Sequence, residues 1–296
     1  MTLKKKLRGT GVAVVTPFTT SGKVDFAGLT KVVRHLIKGK VEYLVALGTT
    51  GESVTLNPQE KEDVTNCIIQ ENEGKLPIVL GIGGNDTRAT VEILEHTNLN
   101  KIDAILSVSP YYNKPSQEGL YLHFKTFASH TDKPIILYNV PGRTSSNIKP
   151  ITILRLEKVC QNIIGVKEAS GNLEQVMEII QKSSNDFLVI SGDDNITLPL
   201  LACGADGVIS VVANACPFVF SEMVRAGLNG EFAKARRLHF KTFELTRQLF
   251  ADGSPGGVKE ALHALGICHP FLRLPLVRPE AEIRKKIRRE LRLLKG

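Results

Sequence analysis

Residues 135–168 read IILYNVPGRTSSNIKPITILRLEKVCQNIIGVKE. An apolar run, Ile135–Tyr138, crosses a Pro-Gly turn, passes through a helical pattern over 150–158, and returns to a second apolar run, Ile163–Lys167. Short runs of Ile, Val and Leu that stay apolar at successive positions predict strands buried on both faces, as parallel strands are. Strand, helix and strand again make one βα unit and the start of the next.

The alternation continues in both directions. Strands are expected at Gly11–Thr16, Tyr43–Leu47, Ile78–Ile82 and Ala104–Val108 upstream, and at Phe187–Ser191 and Val208–Val212 downstream. Helices are expected over 86–98, 116–130, 172–183, 195–203 and 217–229. Asp25 can cap another helix, whose apolar face is Leu29, Val32, Val33, Leu36 and Ile37 and whose stop is Gly39. Asn57-Pro58-Gln59-Glu60 reads as cap, first-turn proline and capping-box acid, ahead of Val64, Cys67 and Ile68 at helical spacing. Eight such units in about 220 residues, with no interrupting linker, predict a (β/α)8 TIM barrel, with a doubly wound sheet as the structural alternative. Beyond residue 230 the pattern is helical only, over 231–250, 257–266 and 279–294. The expected division is a catalytic barrel over 1–230 and a C-terminal helical appendix over 231–296.

Composition narrows the function. The chain has 296 residues, 42% hydrophobic and 23% charged, with a net charge of +8. That profile is globular and excludes disorder, collagen and coiled coil. The charge is concentrated at the ends: Lys4, Lys5, Lys6 and Arg8 have no acid near them, and residues 284–296 carry seven basic side chains against Glu290. A nucleic-acid binder spreads basic residues over a face or groove, so neither nucleic acid nor a membrane is expected as a partner. Five scattered cysteines form no CxxC pair and no zinc spacing. They suggest reduced thiols and, with no apolar stretch long enough for a signal or a span, a cytoplasmic protein.

In a barrel, reacting groups sit at the C-terminal strand ends and in the loops after them. Lys167 closes the sixth strand, where an ammonium is costly to bury. It is either a solvated or Glu168-paired lysine just past the strand, or a desolvated amine able to attack a carbonyl and form a Schiff base. Tyr138 closes the fifth strand, as packing or as a proton donor beside Lys167. Arg143, on the Pro-Gly loop, is a solvated surface arginine or a clamp for a carboxylate. Gly48-Thr49-Thr50-Gly51-Glu52 offers hydroxyls and N–H groups to a small anion. Ser109-Pro110-Tyr111-Tyr112-Asn113 presents two aromatics on a stiff loop, suited to a subunit contact or a site. Gly81-Ile82-Gly83-Gly84-Asn85-Asp86 lacks the third glycine of a dinucleotide fingerprint. Asp193-Asp194 has no histidine near it in sequence and reads better as a helix cap than as a metal site.

The ordered series Gly48–Ser53, Ser109–Asn113, Tyr138–Thr144, Gly165–Gly171, Ser191–Asp194 and Gly204–Val211 closely resembles the dihydrodipicolinate synthase family, within the pyruvate-dependent class I aldolases. The resemblance runs from about Gly11 to residue 230 and into the helical tail. It implies condensation of pyruvate with L-aspartate 4-semialdehyde, the first committed step toward diaminopimelate and lysine, with no metal or organic cofactor. It casts Lys167 as the Schiff-base lysine, Tyr138 as the proton shuttle, and Thr49 and Tyr112 as its relay partners. The tyrosine at the Tyr112 position is lent, in the family, by the neighbouring subunit of a tight dimer. Thr50 matches the pyruvate carboxylate site, Gly192 and Ile209 line that pocket, and Arg143 receives the semialdehyde carboxylate. A homo-oligomer, a dimer of tight dimers, is implied.

N-acetylneuraminate lyase and keto-deoxy-sugar aldolases share the lysine and tyrosine, but commonly lack the Arg143 counterpart or the paired tyrosines. A barrel kept only for binding or regulation would show a broken reactive set. One departure concerns feedback control. Where lysine-inhibited relatives carry histidines and a glutamate in the allosteric cleft, this chain has Pro58, Lys61 and Ala89, although Ser53, Asn85 and Tyr111 remain. A cleft that has lost an acid and gained Lys61 is expected to bind cationic lysine poorly.

Overall fold

The structure, a computed structural model, describes residues 3–295; positions 1, 2 and 296 of the expected domain ranges lie outside it. Its centre is a closed parallel barrel in which each strand pairs with its sequence neighbours and the eighth with the first. The strands are β1 (Gly9–Ala13), β2 (Tyr43–Ala46), β3 (Ile78–Gly81), β4 (Ala104–Val108), β5 (Ile135–Asn139), β6 (Ile163–Glu168), β7 (Leu188–Ser191) and β8 (Gly207–Ser210). Outside them run α1 (Phe26–Lys38), α2 (Pro58–Asn72), α3 (Thr87–His96), α4 (Gln117–Ala128), α5 (Pro150–Val159), α6 (Leu173–Lys182), α7 (Thr197–Ala202) and α8 (Pro217–Leu228). The C-terminal region adds α9 (Phe232–Phe250), α10 (Gly256–Ala264) and α11 (Ala281–Lys295). The (β/α)8 architecture with a helical appendix is therefore the fold.

The caps behave as the sequence suggests. Asp25 accepts the Gly28 N–H at 2.9 Å at the start of α1. Asn57 and Glu60 form a reciprocal capping box on α2. Most strand bounds agree with the sequence reading to within one residue; the larger differences are β1, which starts two residues earlier and ends three earlier, and β8, which ends two earlier, and the early ends serve the rim. β1 gives way to loop contacts just past Ala13: Val14 still donates to the Val45 carbonyl of β2 at 3.0 Å, but the Val15 N–H donates to Asn214 Oδ1 at 3.3 Å, and the Thr16 hydroxyl to the Gly51 carbonyl at 2.7 Å. β8 ends at Ser210 because Val211 and Val212 turn inward to donate their N–H groups to the Asp194 carboxylate, at 3.0 and 3.1 Å. At its start, β8 approaches β1 so closely that a Cβ on Gly207 would lie 1.9 Å from the Gly9 carbonyl oxygen, so only glycine closes the barrel there. Two one-turn helices, Leu3–Lys6 and Pro141–Thr144, were not expected.

Strand alternation sorts the barrel into two cores. Ile136, Tyr138, Ile190 and Ile209 point inside, with Leu7 buried in the same cluster. Ile135, Leu137, Val166 and Val189 point outward under the helices. The basic α11 docks through Ile287 and Leu291 and places Arg288 on the buried Glu260 at 2.7 Å, so its inner face is a contact surface rather than a solvated one. Among the described residues, no helix is long and apolar enough to cross a membrane.

Candidate active site

The parallel register of β5 and β6 sets Tyr138 beside Lys167 and, one residue on, Asn139 beside Glu168. Because successive side chains alternate faces, the first pair points into the barrel and the second outward. Lys167 is 5% exposed, and its Nζ lies 4.1 Å from the centroid of the Tyr138 ring. Glu168 does not pair with Lys167. Its buried carboxylate accepts Asn139 Nδ2 at 2.9 and 3.1 Å, Gln175 Nε2 at 3.0 Å and the Ser170 N–H at 2.8 Å. Burial away from any cation pushes the Glu168 carboxyl above its ordinary value, with these neutral donors opposing the shift. The outer pair thus ties together the two strands whose inner faces carry Lys167 and Tyr138.

β7 supplies the wall beside the amine. Gly192 follows it directly, and its N–H donates to the Glu168 carbonyl at 2.7 Å. A Cβ on Gly192 would meet Ala169 Cβ at 2.5 Å and Lys167 Cε at 3.1 Å, so backbone and amine stem approach here as closely as a glycine permits. Ile209 on β8, 1% exposed, closes the interior below.

The loop after β2 forms a 3-10 turn, Thr49–Gly51, entered from Gly48 with no side-chain cap. The first N–H groups of such a turn have no intrahelical partner, and here no side chain caps them. Thr50 is buried and Thr49 exposed. Arg143 lies exposed on the one-turn helix after β5, at the rim. Tyr112 behaves differently: on the loop after β4, with φ 74°, it is 87% exposed and packs into no site within its own chain.

The adjacent aspartates divide the work of shaping the β7 loop. Asp193 caps the short turn after β7 through the Asn195 N–H at 3.1 Å. Asp194 is buried, and burial pushes its carboxyl up to about 6 despite the N–H groups of Val211 and Val212. Among the described residues, no group of three or more His, Cys, Asp or Glu is arranged to hold a metal. A cleft of about 870 Å3 opens at the opposite mouth of the barrel, lined by Lys5, Lys6, Glu42 and Lys101 among others, far from these residues.

Sequence reasoning placed Glu52 only at the end of the threonine turn and missed the charged groups buried behind the site. Glu52, Lys259 and Glu260 are at most 1% exposed. A lysine and a glutamate inside the apolar stretch 256–265 were the available signal for the last two.

The family model of the dihydrodipicolinate synthetase family matches residues 6–294. A 4-hydroxy-tetrahydrodipicolinate synthase of Flavobacterium psychrophilum is 51% identical over 94% of this chain and 95% of its own length. One from Parabacteroides distasonis is 49% identical over 97% of each. Among solved structures, a dihydrodipicolinate synthase variant described as the first monomeric one superposes with a TM-score of 0.96 at 37% identity, covering 99% of this chain and 98% of that one.

Proposed function

The chain belongs to the dihydrodipicolinate synthetase family and is a Schiff-base-forming lyase of the 4-hydroxy-tetrahydrodipicolinate synthase type, and we propose that its condensation of pyruvate with L-aspartate 4-semialdehyde runs through Lys167. The observation that carries the assignment is the buried Lys167 amine lying 4.1 Å from the Tyr138 ring at the C-terminal strand ends.

The neutral Lys167 amine attacks the pyruvate ketone carbon, and loss of water leaves an iminium. The iminium withdraws electrons, so a methyl proton departs and an enamine forms. That carbon bonds to the aldehyde carbon of the semialdehyde, whose oxygen takes up a proton. The amine of the adduct then attacks the imine carbon, closing the ring and releasing Lys167. Each stage moves a proton between heavy atoms, which requires a hydroxyl close to the amine. Tyr138 supplies it, with Thr49 continuing the relay. Thr50 and the free N–H groups of its turn hold the pyruvate carboxylate, in the pocket walled by Gly192 and Ile209. Arg143 at the rim receives the carboxylate of the second substrate, matching two oxygens with one fork.

The relay is completed by a second copy. Tyr112 is open to solvent in its own chain, so a homo-oligomer in which Tyr112 of the partner subunit reaches Thr49 and Tyr138 makes association a catalytic requirement. A dimer of tight dimers in the cytoplasm is the assembly and location this reading supports. The barrel, residues 1–230, carries the chemistry, and the helical region 231–296 supports it. Pro58 at the start of α2, Lys61 on it and the exposed Ala89 on α3 disfavour a bound lysine, so feedback inhibition is weak or absent. The deciding experiment supplies pyruvate with either the semialdehyde or a panel of sugar aldehydes. Turnover with the semialdehyde, abolished by Lys167→Ala, is expected. Turnover with a sugar aldehyde alone would move the protein to a sibling aldolase.

A further inference from the structure

The threonine turn is anchored from outside the barrel. Glu52 follows Thr49-Thr50-Gly51 in the left-handed conformation, φ 52°, and its N–H donates to the Thr49 carbonyl at 3.1 Å. A non-glycine residue in that region costs about 1–2 kcal/mol, so something must hold it. The Glu52 carboxylate turns away from the site toward α10. There it accepts the Lys259 ammonium and, at 3.2 Å, the backbone N–H of Arg273. Lys259 is fully buried, donates to the Phe271 carbonyl at 2.9 Å, and lies 4.2 Å from the Phe18 ring centroid.

Arg273 grips the other end of the same segment. Its guanidinium donates to the carbonyls of Gly22 and Thr55, at 2.9 and 2.7 Å, and takes both oxygens of Glu60, the capping-box acid of α2. Two cations from the C-terminal region thus hold residues 52–60, the stretch that begins at the substrate turn. Removing an ammonium and a carboxylate from water costs several kcal/mol each, and an apolar pair would pack at least as stably. Burial of this pair directly behind the turn therefore fits a conformational role better than a stabilising one.

We propose that Lys259 and Glu52 form a positioning pair, with Arg273 as its second tether, that sets the Thr49–Thr50 hydroxyls and N–H groups at the distance from Lys167 that pyruvate requires. The proposal rests on the reading of Thr49 and Thr50 given above. It gives the helical appendix a part in the chemistry without any of its side chains touching substrate.

Glu52→Gln/Lys259→Met removes both charges with little change in volume, leaving no uncompensated buried ion, so the fold is expected to hold, with the melting temperature lowered only by the lost bond to the Phe271 carbonyl. The KM for pyruvate is expected to rise, and kcat to fall, by about tenfold each, as displacement of a positioning group does. The KM for the semialdehyde, bound through Arg143 on a different loop, is expected to stay within about twofold. General loosening of the barrel would raise both KM values together and overturn the proposal. Arg273→Gln, at a partly buried position, is the second probe, with an expected rise in pyruvate KM of about threefold; it decides the matter if the double variant does not fold. Thr50→Ala separates the two layers of argument. If it leaves pyruvate binding unchanged, the placing of the carboxylate on this turn fails. If it weakens binding while the folded anchor variants leave pyruvate KM and kcat at their original values, the turn stands and the anchor is refuted.

Discussion

Gly192→Ala is the most direct structural perturbation of the amine. The new methyl would lie 2.5 Å from Ala169 Cβ and 3.1 Å from Lys167 Cε, against an optimal carbon–carbon separation of about 3.5–4.0 Å. Neither Ala169 nor the loop after β7 offers a flexible side-chain end that could swing aside. The backbone between Ala169 and residue 192 must therefore part by about 1 Å, and the lysine stem must shift with it or yield by several tenths of an ångström. Overpacking of this kind costs about 1–3 kcal/mol of stability, a modest loss for a barrel of this size. Misplacing a nucleophile by about 1 Å costs about 100-fold in rate, or about 2.7 kcal/mol of transition-state stabilisation. The expected result is a folded enzyme, with a slightly lowered melting temperature, whose kcat/KM falls about 100-fold. The assay follows product through an excess of the downstream reductase by loss of NADPH absorbance, beside a thermal melt of the same sample. A kcat/KM within about threefold of the original would refute the close packing of backbone against amine that the argument uses.

Asp194→Asn tests the buried carboxyl behind the pocket. Burial raises this group from 3.8 to about 6, so the folded chain binds the extra proton more tightly and wild-type stability falls as pH rises between those values, levelling above. The asparagine does not titrate, so its melting temperature relative to wild type should rise across that window, by the equivalent of at most about 3 kcal/mol; parallel curves would contradict the assignment. Subunit sharing predicts complementation: Tyr112→Phe and Lys167→Ala chains, each inactive or weak alone, should regain activity when co-assembled, because one mixed site holds an intact Lys167 and a partner's intact Tyr112. No gain above the sum of the separate preparations would exclude a shared relay. Lysine is expected to leave the rate largely unchanged, and half-maximal inhibition at submillimolar lysine would overturn the reading of Pro58, Lys61 and Ala89.

Much of this was legible because each barrel unit carries its own local signals. The run Ile163–Lys167 needed only apolar continuity to read as a buried strand, and Asn57–Glu60 carried a complete helix start. Strand ends were less legible, since Val14–Thr16 and Val211–Val212 look like strand, yet Val15, Val211 and Val212 spend their N–H groups on the Asn214 and Asp194 side chains and Thr16 its hydroxyl on the Gly51 carbonyl, partners set only by the closed barrel. Pairings distant in sequence were invisible for the same reason. Nothing near Glu52 announces Lys259, 207 positions away, and nothing near Glu168 shows that its carboxylate turns toward Asn139 and Gln175 instead of the adjacent lysine.

The central claim is that Lys167, beside Tyr138, forms the covalent imine with pyruvate. Incubation with pyruvate and borohydride, followed by peptide mass mapping, measures it directly. One reduced pyruvate adduct per chain, on the peptide containing Lys167 and lost in Lys167→Ala, is the result expected. Adduct on another lysine, or full turnover by Lys167→Ala, would contradict the account.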